Sequence, residues 1–275
     1  MQILRNYIAI LTVATISVLS GGCANDQPNQ IKKQLESEYG INIYFDFSEN
    51  SMGSNYPSMR CEEVPYGLRA VALKRLRTDL EKYNPMCIRE NLNSVHIIKS
   101  IVINDLEHGG AAWDKIIIIT ADLLGDDGRT LIAAGFHHEY SSILLKKKFN
   151  FSSVKKTWSS FNKEGFSYAS NTSSSESLKY GLNDVIGNHN TFSKGFACDY
   201  GQVSVEDDFN TIAQLFVAKP ASLLLLSVRY PIIEKKNGFM IKTYLQNDVL
   251  SRKRREELLG TQQMEYWLKR SLISQ

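Results

Sequence analysis

The stretch "GFHHEYSSIL", residues 135–144, decides how the chain is read. It opens like His-Glu-x-x-His, the zinc-peptidase signature, and then places Ser142 where the second histidine belongs. In the intact motif, histidines at i and i+4 lie one turn apart on one helix face and reach the same ion. The glutamate beside the first histidine takes a proton from metal-bound water. A third ligand, often an acid, comes from a later helix, and one coordination position stays open for that water. Here His138 fits the first ligand and Glu139 the base. The i+4 partner of His138 is Ser142 and that of His137 is Ser141, so neither histidine completes a pair. A serine hydroxyl is a poor zinc ligand at neutral pH. Losing the second histidine costs more than the roughly 10- to 100-fold in affinity typical of changes outside the direct ligands. The residues alone leave two readings: a metal site, or a hydrogen-bonded His-His-Glu cluster in a buried helix.

Working outward, residues 127–148 have the length and periodicity of a buried helix, with Leu131, Ala134, His138, Ser141 or Ser142, and Leu145 on one side. Ahead of it, "SVHIIKSIVIND" and "DKIIIIT" are β-branched runs. They read as neighbouring strands, most simply a hairpin turning at Gly109-Gly110, with Ile116–Ile119 in an interior strand. Pro65 opens a helix to Tyr83 with an apolar stripe of Leu68, Val71, Ala72, Leu76 and Leu80; Asn84-Pro85 ends it. "IKKQLESEYG" reads as a short helix and "INIYFDFS" as a strand. "SNTSSSES", 170–177, reads as a surface loop. "SVEDDFNTIAQLFV" is a helix whose first-turn acids suit the helix dipole, and two further helices close the chain. The basic cluster Arg252–Arg255 reads most simply as a solvated helix face. The fold class is α+β: a small, mostly antiparallel sheet, then the motif helix, then a helical C-terminal half.

The 275 residues carry 43% hydrophobic and 22% charged side chains with a net charge of +3, ordinary for a globular protein and without the basic concentration of a nucleic-acid binder. The N-terminus is more telling. Arg5, the apolar run Tyr7–Leu19 and "SGGC" follow the order of a secretory signal. The apolar run is too short to be a comfortable permanent span. Small residues directly before Cys23 suggest a bacterial lipoprotein, with 1–22 removed as signal and Cys23 lipidated. The usual leucine three places before the cysteine is Ser20, with Leu19 one place early. Residues 23–30 then read as a tether and 31–275 as one domain. Three cysteines remain, Cys61, Cys87 and Cys198. Cys61 and Cys87 flank one predicted helix, so pairing is open to them in an oxidising compartment.

"FHHEYSSIL" resembles the His-His-Glu-Phe-Ala-His-Ile-Leu segment of the substrate-import-associated zinc metallohydrolase lipoproteins, a gluzincin-like family of bacterial zinc-binding metallopeptidases. The likeness extends loosely over residues 30–250, through "EEVPYGL", "IIKSIVIND", "DKIIIIT", "KGFACDYGQVSVEDDF" and "IEKKNGFMIKTYLQNDV". It implies a zincin-like fold, an outer-membrane lipid anchor and a partner among nutrient-import receptors. It also implies Tyr200 as oxyanion stabiliser, seven residues before the acid at Asp207, which takes the third ligand's place. Glu206 takes that place if the register slips by one. Thr211 stands where the family has a glutamate. With Ser142 and Asp207 both departing from the family pattern, zinc is expected to bind weakly or not at all unless His189 or Cys198 is recruited. Two functions follow. One is peptide-bond hydrolysis with Glu139 as base. The other is a non-catalytic relative that binds a peptide or protein as an accessory of an import complex.

Overall fold

The sheet is organised around β3, Ser94–Ile103. In the computed structural model, residues 27–47, 59–125, 135–169 and 188–260 are described. β1, Asn42–Tyr44, lies parallel to the start of β3, and β2, Met59–Glu63, runs antiparallel along its second half. On the other side, β6, Ile116–Thr120, is parallel to β3. β4, Leu106–His108, pairs antiparallel with the end of β3, and β5, Gly110–Trp113, pairs antiparallel with β6. The result is a six-stranded mixed sheet with the order β1-β3-β6-β5.

The two β-branched runs are therefore neighbours, but they are parallel and do not form a hairpin. The chain between them reverses twice. Asn104 and Asp105 both take positive φ (50° and 64°) and turn β3 into β4; Asp114 (φ 51°) turns β5 into β6. Adjacent left-handed residues suit the tight turns that match strand twist. Two reversals restore the original direction. Gly109-Gly110, the expected turn, instead lies at the passage from β4 into β5. β6 is interior as its composition requires: Ile117 and Ile119 enter the main core and Ile118 a smaller cluster with Ile98, Ile101 and Ile103.

Helices fill the main core. α1, Gln27–Tyr39, begins inside the stretch expected to be a tether, with Pro28 buried in its first turn. α2, Tyr66–Leu80, follows Pro65 and buries Ala72, Leu73, Leu76, Asp79 and Leu80. The expected stripe is rotated: Leu68 and Val71 are 56% and 48% exposed. Arg69 turns inward instead, its guanidinium over the rings of Phe45 and Tyr66. α3, Pro85–Asn91, starts at the proline that stops the preceding segment. Cys87 on α3 joins the main core, whereas Cys61 packs against the smaller cluster on the opposite face of the sheet. The pairing left open to Cys61 and Cys87 is not formed, and Cys61, Cys87 and Cys198 are free thiols.

α4, Gly135–Lys147, carries the motif and packs between the β5–β6 edge of the sheet and α7, Val205–Ala218. α5, Phe151–Ser159, and the short α6, His189–Ser193, precede α7. α8, Pro220–Arg229, and α9, Pro231–Gln246, each open on a proline. Residues 252–260 form α10. The Arg252–Arg255 cluster is paired locally, Arg252 with Glu256, Arg254 with Glu257 and Arg255 with Asp248. Leu131, Ala134, the 170–177 stretch, the rest of the last expected helix and Cys23 lie outside the described residues. No described helix is long and apolar enough to cross a membrane.

Candidate functional site

Consecutive helical residues project about 100° apart, so His137 and His138 serve different neighbours. His137 is fully buried and faces α2. Its Nδ1 bonds the Tyr83 hydroxyl at 2.8 Å, and its Nε2 lies 3.1 Å from Lys82 Nζ and 3.2 Å from Asp79 Oδ1. Asp79 Oδ2 in turn accepts the Gly125 N–H at 2.7 Å. Burial, then the Lys82 charge, pushes the His137 pKa down to about 4, so the ring is neutral. This histidine ties α4 to the end of α2 and the residues that follow it.

His138 faces α7. Its ring lies 5.8 Å from that of Tyr200, which is held on a short turn, Asp199–Gln202, ahead of α7. The Gln214 side chain hydrogen-bonds the imidazole, and burial pushes the His138 pKa down to about 4. One turn on, Ser141 Oγ bonds Asn210 Oδ1, and Ser142 Oγ donates to Glu206 Oε1. Lys146, a further turn along, donates to Ser142 Oγ at 3.3 Å and reaches Glu206 Oε1 at 2.7 Å. The two helices are thus joined by a polar seam: His138 with Gln214, Ser141 with Asn210, and Ser142 and Lys146 with Glu206.

Glu139 points toward β5. A Cβ added to Gly110 would sit 3.0 Å from Glu139 Oε1 and 3.1 Å from the Ile118 carbonyl oxygen, a tight fit in which the carboxyl would have to give by a few tenths of an ångström. Burial, reinforced by the Glu206 charge and more weakly by Asp207, pushes the Glu139 pKa up to about 8. At neutral pH it is mostly the protonated acid, which donates a hydrogen bond better than it removes a proton.

Asp207 is buried and turned toward the start of its own helix. Ser204 Oγ donates to Asp207 Oδ2 at 2.7 Å and accepts the Asp207 N–H at 3.1 Å, a cap for α7. Glu206, the alternative in the sequence reading, is the acid that meets α4. Thr211 bonds the Asp208 carbonyl. His189 is exposed and bonded to Tyr230 at 2.9 Å. The Cys198 thiol is pushed up to about 11 by burial and is held by backbone N–H groups of Gly201 and Tyr200.

Whether zinc fits is a question of donors. His138 is engaged by Gln214, the serine at the second position is bonded to Glu206, and Glu206 already holds an ammonium. Placing a divalent ion beside Lys146 adds repulsion between like charges. Among the described residues no group of three or more His, Cys, Asp and Glu side chains is placed to hold a metal. The residues present do not fit a zinc ion.

Lys146, Asn210 and Gln214 were not singled out from the sequence. The signal was available as spacing: 206, 210 and 214 recur every fourth residue on α7, opposite 138, 142 and 146 on α4.

No family model matches the sequence, and no curated protein matches it significantly. Among solved structures, the chain is similar to the crystal structure of a "putative zinc-binding metallo-peptidase" from Bacteroides caccae. The TM-score is 0.50 at 13% identity, over 81% of this chain and 86% of the other. At that identity the likeness concerns the fold. The chain has a metallopeptidase-like α+β fold, and its motif helix packs between the sheet and the acid-bearing α7.

Proposed function

We propose that this chain is an exported, lipid-anchored binding protein that takes an extended peptide segment along β5 and does not cleave it. The observation that carries this reading is the meeting of a sheet edge with the motif helix α4. Among the described residues β5 pairs only with β6. The Thr120 N–H donates to the Gly109 carbonyl. Antiparallel strands alternate, so the N–H and C=O groups of Gly110 and Ala112 point to the open side. Glu139 Oε1 lies 3.0 Å from where a Gly110 Cβ would stand, and the His138 and Tyr200 rings, 5.8 Å apart, lie on the neighbouring side of α4 that faces α7. A peptide pairing with β5 by strand addition would meet a carboxylic acid able to donate to its carbonyl groups.

Hydrolysis is the second reading, and the closeness of the His138 and Tyr200 rings favours it. Against it stand the absent second histidine, the raised Glu139 pKa and the occupied seam. The anchor at Cys23, placement in the outer membrane and service to a nutrient-import receptor belong to the same proposal and rest on the signal-like N-terminus and the family resemblance.

The test is binding of labelled, unstructured peptides to the mature domain, with intact peptide mass followed by mass spectrometry. Ala112→Pro removes one edge donor and is expected to weaken binding about tenfold, the worth of roughly one hydrogen bond. Equal affinity in the variant, or cleaved peptide, would overturn the reading.

A further inference from the structure

We propose that the ammonium of Lys146 is a tethered substitute for the metal ion, held by this chain at the corner where the motif lacks its second histidine. Residues 138, 142 and 146 follow one another at four-residue steps along α4, so all three face α7. In an intact motif the middle position would grip a cation shared with an acid from the later helix. Here the middle position is the small Ser142, and Lys146 from the next turn reaches back toward it. Its Nζ lies 2.7 Å from Glu206 Oε1 and 3.3 Å from Ser142 Oγ, while Ser142 Oγ donates to the same Glu206 oxygen. A cation, an acid and the residue at the second ligand position therefore still meet at one point, with the cation supplied by the chain.

The charges agree. Glu206 lies within electrostatic reach of Glu139 and His138 and is ion-paired with Lys146. A lysine removed from this position leaves a carboxylate facing a histidine and a second carboxyl, a group that attracts a divalent ion. Lys146 is half exposed, at 50% of its side chain, so its contribution to stability is modest. What it controls is whether a second cation can enter. The inference stands on the α4–α7 seam and is independent of peptide binding at β5.

The experiment compares zinc affinity, measured by competition with a chromophoric chelator, for the wild type, Ser142→His, Lys146→Met with Ser142→His, and Lys146→Arg with Ser142→His. With Lys146 or Arg at 146, zinc should bind weakly. The Lys146→Met pair should bind at least tenfold more tightly and should gain thermal stability when zinc is added. Tight binding by Ser142→His alone, or near-stoichiometric zinc in the wild type, would overturn the proposal. So would a folded Lys146→Met pair that gains no affinity. A thermal-unfolding cycle of Lys146→Met with Glu206→Gln supplies a readout without zinc: the two effects should be less than additive, and strict additivity counts against the pairing. Peptide affinity is a separate measurement, so a failure here leaves the β5 reading standing and the reverse holds too.

Discussion

The Asp208 carboxylate and the Lys236 ammonium lie 2.7 Å apart with neither side chain exposed to water. Asp208 sits in the first turn of α7, where an acid is expected from the helix dipole alone, yet its Oδ2 also accepts from Trp158 Nε1 and the Tyr168 hydroxyl, each at 2.7 Å. Lys236 on α9 donates to the Gly195 carbonyl as well and lies over the Phe196 ring. The pair joins α5, α7, α9 and the segment that leads to Tyr200. Burial drives both groups toward neutrality, and their mutual attraction opposes it.

Breaking such a pair from one side strands a charge in the core, at a cost of about 3–5 kcal/mol. Lys236→Met is therefore expected to lower the unfolding free energy by that amount in urea titrations at pH 7. A loss below about 1 kcal/mol would show that the pair is solvated in solution and does not organise the core.

Glu139 sets a pH dependence. Its folded pKa of about 8 is above the ordinary 4.5. Below pH 4.5 both folded and unfolded chains hold this proton, and its contribution is intact. As pH rises from 4.5 to 8 the unfolded chain releases the proton first, so stability falls through that window. A tenfold difference in proton affinity corresponds to about 1.4 kcal/mol; the carboxyl's residual contact with water brings the expected loss to about 2 kcal/mol. Glu139→Gln carries no proton to lose. Its stability should change less between pH 5 and pH 9 than that of the wild type and exceed it at pH 9. Parallel pH profiles for the two proteins would place Glu139 in an open, watery setting.

The parts of this architecture that could be read from the sequence were those set by local chemistry. Pro65, Asn84-Pro85 and the isoleucines of β6 declare a helix entry, a stop and an interior strand without reference to anything distant. The direction of β6 relative to β3 depended on counting two reversals in "NDLEHGGAAWDK", where the glycines drew attention from Asn104 and Asp114. The seam was harder. Lys146 belongs to a run of three lysines at a helix end, which reads as solvated charge, and Lys236 stands in "IEKKNG", which reads the same way. Only a partner helix distinguishes the lysine that turns inward from the one that does not. Asp207 and Glu206 illustrate the same limit: one residue of register separates a helix cap from the acid that meets α4.

The proposed lipid anchor at Cys23 sets an expectation for where the protein works. A positive residue, a short apolar core and small residues before a cysteine form the pattern that export and lipid attachment require. Each buried methylene of an acyl chain contributes about 0.8 kcal/mol to membrane binding, so a multiply acylated cysteine holds a domain at a bilayer without a spanning helix. The full-length chain produced in a Gram-negative host should incorporate a labelled fatty acid and sediment with membranes. Cys23→Ser should lose the label and leave the membrane fraction, or accumulate with its signal uncleaved. A wild-type chain that is processed, unlabelled and released in soluble form would remove the anchor, and with it the expectation that this protein serves a receptor in the membrane.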